Sequence, residues 1–220
     1  MKKELRYLVA QELRATGSDK QPRIEGYCAT FNTVADIGPF REVIRRGAFK
    51  RTLASDADVV MLFNHDANAI LGRKSAGTLT LEEDSKGLKF SCELPDTSVS
   101  RDVYANLKAG NLKECSFGFY VNGPDGERWS QQPDGTTLRE LLDVTLFDSS
   151  VVTFPAYSGT SAAARNIVPD DVEARMTALN VEAETQARRA KAQQVLDEIA
   201  AEEAAEDTNR LKLRRENLFN

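Results

Sequence analysis

An attacking serine needs a base to take its proton, and that base needs a third group to fix its tautomer and stabilise the cation that forms. The chain contains a single histidine, so a histidine base can only be His65. His65 follows the apolar run Asp58-Val59-Val60-Met61-Leu62-Phe63, and its neighbours Asn64 and Asp66 are polar enough to orient an imidazole. Catalytic groups often sit where a rigid element hands over to a loop. Ser116 is the candidate nucleophile. It interrupts the apolar run Cys115-Ser116-Phe117-Gly118-Phe119-Tyr120-Val121. Side chains alternate along a strand, so Cys115, Phe117 and Phe119 share one face, and Ser116, Gly118 and Tyr120 share the other. Gly118 is expected to leave room beside Ser116 for a substrate or a histidine. Cys115 is a rival nucleophile, but it points away from Ser116, and its apolar companions mark it as core. Two carboxylates, Asp143 and Asp148, lie on opposite faces of the run 143–148 if that strand is regular. Asp148 shares a face with Leu142, Val144 and Leu146, which makes it the more buried of the two, and a buried aspartate needs a partner. Together these groups suit acyl transfer through a serine nucleophile. The oxyanion would need donors, from the amides after Asp148 or from Arg73. Arg73 could equally form a structural ion pair.

The elements that must position these groups are mostly strands. Residues 23–31 and 87–94 carry strand patterns. In the second, Leu88, Phe90, Cys92 and Leu94 alternate with polar residues, which predicts one buried face. Residues 47–55 read as a short helix. Residues 98–109 read as a longer one, with Ser98 as N-cap and Gly110 as stop. Turn-rich segments at 122–126 and 133–135 bracket 127–132 as one arm of a hairpin. The runs 58–63, 115–121 and 141–154 are apolar enough to be strands buried on both faces. The fold class is therefore α+β: a mostly antiparallel β-barrel flanked by helices, with a C-terminal helical tail.

Composition shifts near residue 165. The stretch 170–206 is rich in Ala, Glu, Arg and Gln, opens with Asp170 and Glu173 at capping-box spacing, and is expected to be helical. Thin apolar stripes run through Val172, Met176 and Leu179 and through Val195 and Ile199. The chain thus divides into a domain at 1–165 and a charged tail at 166–220. The net charge of -5 argues against a nucleic-acid partner or an acidic membrane for the whole chain. The terminal basic run Arg210, Lys212, Arg214 and Arg215 reads as a solvated face. No apolar run approaches a membrane span, and no signal peptide opens the chain. Cys28, Cys92 and Cys115 are odd in number and lack metal spacing, so no metal or cofactor is expected, and a reducing cytosol fits.

Several segments, in order, resemble the prohead (capsid-maturation) serine proteases of tailed bacteriophages. They are Gly26-Tyr27 with Ala29 and Phe31; Glu42, Gly47 and Phe49; Leu62 to Asp66 with Leu71-Gly72-Arg73; Ser116 to Phe119; and Leu146 to Ser149 with Val151 to Tyr157. The resemblance covers about residues 5–165. It extends distantly to the herpesvirus assembly proteases, which implies a mostly antiparallel β-barrel wrapped by helices. It implies Ser116 as nucleophile and His65 as base. The third member is Asp148, where relatives often carry glutamate, with Asp143 as the alternative. The implied function is proteolysis inside the immature capsid in the bacterial cytoplasm. The implied substrates are the scaffolding segment of the major capsid protein and the protease itself. Distant relatives also imply a homodimer. The tail is then a targeting or packing arm that is removed by self-cleavage. A reading from another class is a non-enzymatic scaffolding protein that binds capsid subunits through the helical tail.

Overall fold

A computed structural model describes residues 3–9 and 11–153, and scattered helical residues between 174 and 197. The chain separates into two compact units, 1–174 and 175–220. The first unit runs β1 (Glu4–Val9), β2 (Gln11–Ser18), β3 (Gln21–Thr30), β4 (Val34–Asp36), β5 (Arg41–Ile44), α1 (Lys50–Ala54), β6 (Val60–Phe63) and β7 (Asp66–Arg73). It continues with β8 (Leu79–Glu83), β9 (Gly87–Glu93), α2 (Ser98–Lys108), β10 (Glu114–Val121), β11 (Glu127–Gln131), β12 (Thr137–Leu141) and β13 (Val144–Val152).

The architecture is strand-rich α+β with few helices, as the patterns predict. The strands form three open sheets, in the orders β1-β10-β13-β6-β7, β11-β12-β5-β4 and β2-β3-β9-β8. Closure into a barrel is not seen among the described residues. Most pairings are antiparallel, but β12 with β5 and β13 with β6 are parallel. Arg23–Phe31 and Gly87–Leu94 match β3 and β9, which pair with each other. The expected hairpin arm is β11, paired with β12.

Two local readings need correction. Thr97, not Ser98, caps α2: Thr97 is extended, and its hydroxyl accepts from the Ser100 amide at 3.2 Å. Residues 141–154 are not one strand. Leu141 closes β12, and the amides of Leu142 and Asp143 both donate to the Gly126 carbonyl, at 2.8 and 3.0 Å, before β13 begins. That turn takes Asp143 out of the strand.

The core draws on all three sheets and on α2. Phe49, Met61, Leu71, Phe90, Val103, Phe117, Phe119 and Leu146 all belong to one buried cluster. A second, ionic core joins β1 to the β11-β12-β5-β4 sheet. Arg6 donates twice to Glu42, at 2.6 and 2.8 Å, and once to Glu4 at 2.6 Å. Arg139 donates to Glu127 at 2.6 Å, to both oxygens of Glu4 at 2.6 and 2.8 Å, and to Glu42 at 3.1 Å. All five side chains are buried, and such charges persist only when paired and hydrogen-bonded. Burial pushes the Glu4 carboxyl up, but its bonds to Arg139 and Arg6 and their charges outweigh this and hold it below its ordinary value.

In the second unit the described residues are helical and, apart from Leu179, those between 177 and 197 are exposed. The capping pair Asp170 and Glu173, the stripe residues Val172, Met176, Val195 and Ile199, and the basic run at 210–215 lie outside the described residues. Among the described residues, no helix is long and apolar enough to cross a membrane.

Candidate active site

The strand registers place two rows of residues across one face of the five-stranded sheet. The first row is Ser116 on β10, Ser150 on β13, Leu62 on β6 and Ile70 on β7. The second is Gly118, Asp148, Val60 and Arg73 on the same four strands. The opposite face carries Cys115, Phe117, Val151, Met61 and Leu71, all in the apolar core.

Asp148 reaches the first of these faces only because β13 is irregular. Gly118 pairs with Asp148, but the next residue, Phe119, pairs with Leu146, so Phe147 is a bulged residue. Without the bulge, Asp148 would share the core face of Val144 and Leu146, as strict alternation predicts. With it, Asp148 and Ser150 join Ser116 and Gly118. The space over Gly118 is not left for a substrate or a histidine. It is filled by Phe147 and Leu5: a Cβ on Gly118 would come within 2.6 Å of the Phe147 ring and 3.0 Å of the Leu5 side chain.

His65 arrives on that face from the β6–β7 turn. Phe63 pairs with Asp66, so Asn64 and His65 form a two-residue loop. Both have positive φ, 54° and 59°, the left-handed requirement of a type I′ hairpin. Asn64 and His65 tolerate that region better than most side chains. Asn64 pins the turn to the end of β13: its side-chain Nδ2 donates to the Thr153 hydroxyl at 3.1 Å, and its Oδ1 accepts from the Thr153 backbone amide at 2.9 Å. Asp66 accepts from the Asn68 amide at 2.8 Å.

The imidazole thus lies between three side chains of the face. Its Nε2 is 2.6 Å from Ser116 Oγ. Its Nδ1 is hydrogen-bonded to Asp148 Oδ2, and Ser150 Oγ lies 3.2 Å from the same nitrogen. The Ser150 hydroxyl donates to the other oxygen of Asp148 at 2.7 Å. Ser116 is fully buried, and its hydroxyl also contacts the Arg6 carbonyl on β1 at 2.9 Å. The ionic core that holds Arg6 therefore also sets the strand beside Ser116.

Asp143 sits elsewhere. Its carboxylate is bound by Arg51, and it accepts from the Asn122 side chain at 2.9 Å. Arg73 donates to Asp58 at 2.6 Å while lining the same cavity as His65 and Asp148. The amides after Asp148 belong to a strand paired on both sides, which engages them in the ladder. Cys115 is in the core, where burial pushes its thiol well above the ordinary value, with the charges of Cys28 and Glu114 adding to the effect. A thiol held protonated is a poor nucleophile. Among the described residues, no cluster of His, Cys, Asp and Glu could hold a metal ion.

Ser150 is the site residue that sequence reasoning missed. Its spacing of two from Asp148 places both on one face of a strand, but that signal matters only once Asp148 is known to turn toward His65.

A family model described as caudovirus prohead serine protease matches residues 9–174. The prohead protease of Enterobacteria phage HK97 is 33% identical over 165 residues, which is 74% of this chain and 68% of the relative. The capsid assembly protease of bacteriophage T4 overlays with a TM-score of 0.44 at 9% identity, over 69% of this chain and 99% of that one. The last likeness is too slight to inform the fold.

Proposed function

The chain belongs to the caudovirus prohead serine proteases, and on that premise we propose that it is a serine endopeptidase working through Ser116, His65 and Asp148. The observation that carries this reading is the unbroken hydrogen-bonded chain from Ser116 Oγ through both imidazole nitrogens to Asp148. In the productive state the Nδ1–H of His65 donates a hydrogen bond to Asp148, leaving Nε2 free to accept the Ser116 proton. Ser116 attacks the peptide carbonyl, His65 protonates the leaving amine, and water then hydrolyses the acyl-enzyme. The Ser116 hydroxyl has one proton and two acceptors in reach, Nε2 and the Arg6 carbonyl, and only the first orientation is productive. Because Ser116 is fully buried, substrate entry has to displace the groups over it. Arg73 is a substrate or oxyanion contact in this reading, since it lines the His65 cavity while anchored by Asp58.

The substrates are the scaffolding segment of the major capsid protein and the protease itself, cut inside the prohead in the host cytoplasm. A homodimer, implied by the distant relatives, belongs to the same reading. The domain at 1–165 performs the chemistry, and the tail at 166–220 serves as a targeting arm removed by self-cleavage.

Asp148→Asn keeps the shape of the site but presents the wrong hydrogen-bond pattern to His65. Turnover of co-expressed capsid protein should fall about 10⁴-fold, against a change of no more than a few-fold in Asp143→Asn. The reverse ranking would remove Asp148 from the mechanism. Wild-type protein that leaves capsid protein intact under assembly conditions would favour the non-enzymatic scaffold.

Ser150 acts through Asp148 as a positioning residue, because its hydroxyl occupies the oxygen that His65 does not use. Ser150→Ala should lower kcat roughly 10-fold with little change in KM, a loss on the scale of one hydrogen bond to a charged group. The same substitution in an Asp148→Asn background should have almost no effect. Equal losses in both backgrounds would make Ser150 merely structural.

A further inference from the structure

Beside the imidazole the sheet face opens into a cavity of about 230 Å³, lined mainly by Val60, Leu62, Ile70, Phe147, His65 and Asp148. Its floor is the β6–β7 end of the two rows already described. Leu62 stands opposite Ile70, and Val60 opposite Arg73. Phe147 forms a wall because alternation from core-facing Leu146 places it on this face and the Tyr120 ring backs it at 4.7 Å. Arg73 and Lys3 stand at the rim, with the Lys3 ammonium 5.0 Å above the Phe147 ring. Among the described residues few large apolar side chains are exposed, and Ile70 is one of them, at 41%. A concave apolar surface that shares two walls with an acyl-transfer site fits substrate better than solvent.

We propose that this cavity is the specificity subsite of the protease, taking one large apolar side chain of the peptide substrate. The proposal rests on the catalytic reading given above. The subsite lies two to three strands from Ser116, about 10–14 Å at ordinary strand spacing. An extended peptide advances about 3.3 Å per residue, so the side chain it takes is about three or four residues from the scissile bond. Aliphatic and aromatic side chains fit the apolar walls of Val60, Leu62, Ile70 and Phe147.

The test uses an internally quenched peptide library scanned one position at a time, with wild type, Ile70→Asp, Ile70→Lys and Ser116→Ala. Ile70 is exposed, so both substitutions leave the core intact. Wild type should favour Leu, Ile or Phe over Asp about 10- to 100-fold at one position. Ile70→Asp should shift that position toward Lys and Arg, and Ile70→Lys toward Asp and Glu. Each should raise KM for the apolar peptide more than it lowers kcat, and preferences elsewhere should stay put. An unaltered apolar preference in both variants overturns the subsite while leaving the catalytic reading intact. Cleavage that persists in Ser116→Ala overturns both.

Discussion

Ser116→Ala is expected to reduce turnover of capsid protein by roughly 10⁶, the scale seen when a triad nucleophile is removed. The substitution removes one oxygen from a strand whose core-facing side chains stay in place, so the fold should persist. Purified protein, or capsid protein co-expressed with it, would be followed by mass. Cys115→Ala is the necessary companion. Its thiol is buried and held protonated, so its loss should leave turnover within a few-fold of wild type. Processing that survives at Ser116→Ala but disappears at Cys115→Ala would make the enzyme a cysteine protease. His65→Ala should be about as severe as Ser116→Ala, because members of a proton-transfer unit are strongly non-additive.

Arg139→Met should destabilise the domain by about 3–5 kcal/mol, the usual cost of breaking a buried ion pair from one side. Methionine keeps much of the side-chain volume, so the loss reports charge and not a cavity. Glu4, Glu42 and Glu127 each lose a hydrogen bond from Arg139 in a setting that excludes water. Arg14→Met is the control. Its pair with Glu25 is 3.2 Å long, and its side chain is 56% exposed, so its removal should cost less than about 1 kcal/mol. Denaturant unfolding measures both, and equal stabilities for the two variants would refute the ionic core. Acid adds a second readout. The Glu4 carboxyl lies below its ordinary value in the folded state. Its contribution is therefore full above the unfolded value of 4.5 and is lost as the pH falls through the lower folded value. Removing Arg139 raises that folded value, so the acid limb of the variant should move to higher pH. Because Arg6 lies in the same cluster and its carbonyl contacts Ser116, a folded Arg139 variant should also show reduced turnover.

Much of this protein was determined locally by its sequence. One histidine left one candidate for the base. The side chains Asn64 and His65 suit the left-handed positions of a tight hairpin. Alternation along 115–121 separated Ser116 from Cys115, because side-chain direction in a regular strand depends only on parity. The two helices and the strands β3, β6, β9, β10 and β11 were likewise legible from periodicity, capping and turn residues, which act within a few positions. Tertiary structure decided the rest. Parity fails at Phe147, where one bulged residue turns Asp148 from the core face to the face of Ser116. Nothing local announces that bulge, since its register is set by β10 alongside. The same bulge brings Asp148 to His65, while the turn at Gly126 hands Asp143 to Arg51. Ser150, the apolar cavity and the Arg6–Arg139 cluster have the same origin. Members of the ionic cluster are separated by up to 135 positions in the chain, and only the pairing of strands brings such residues together.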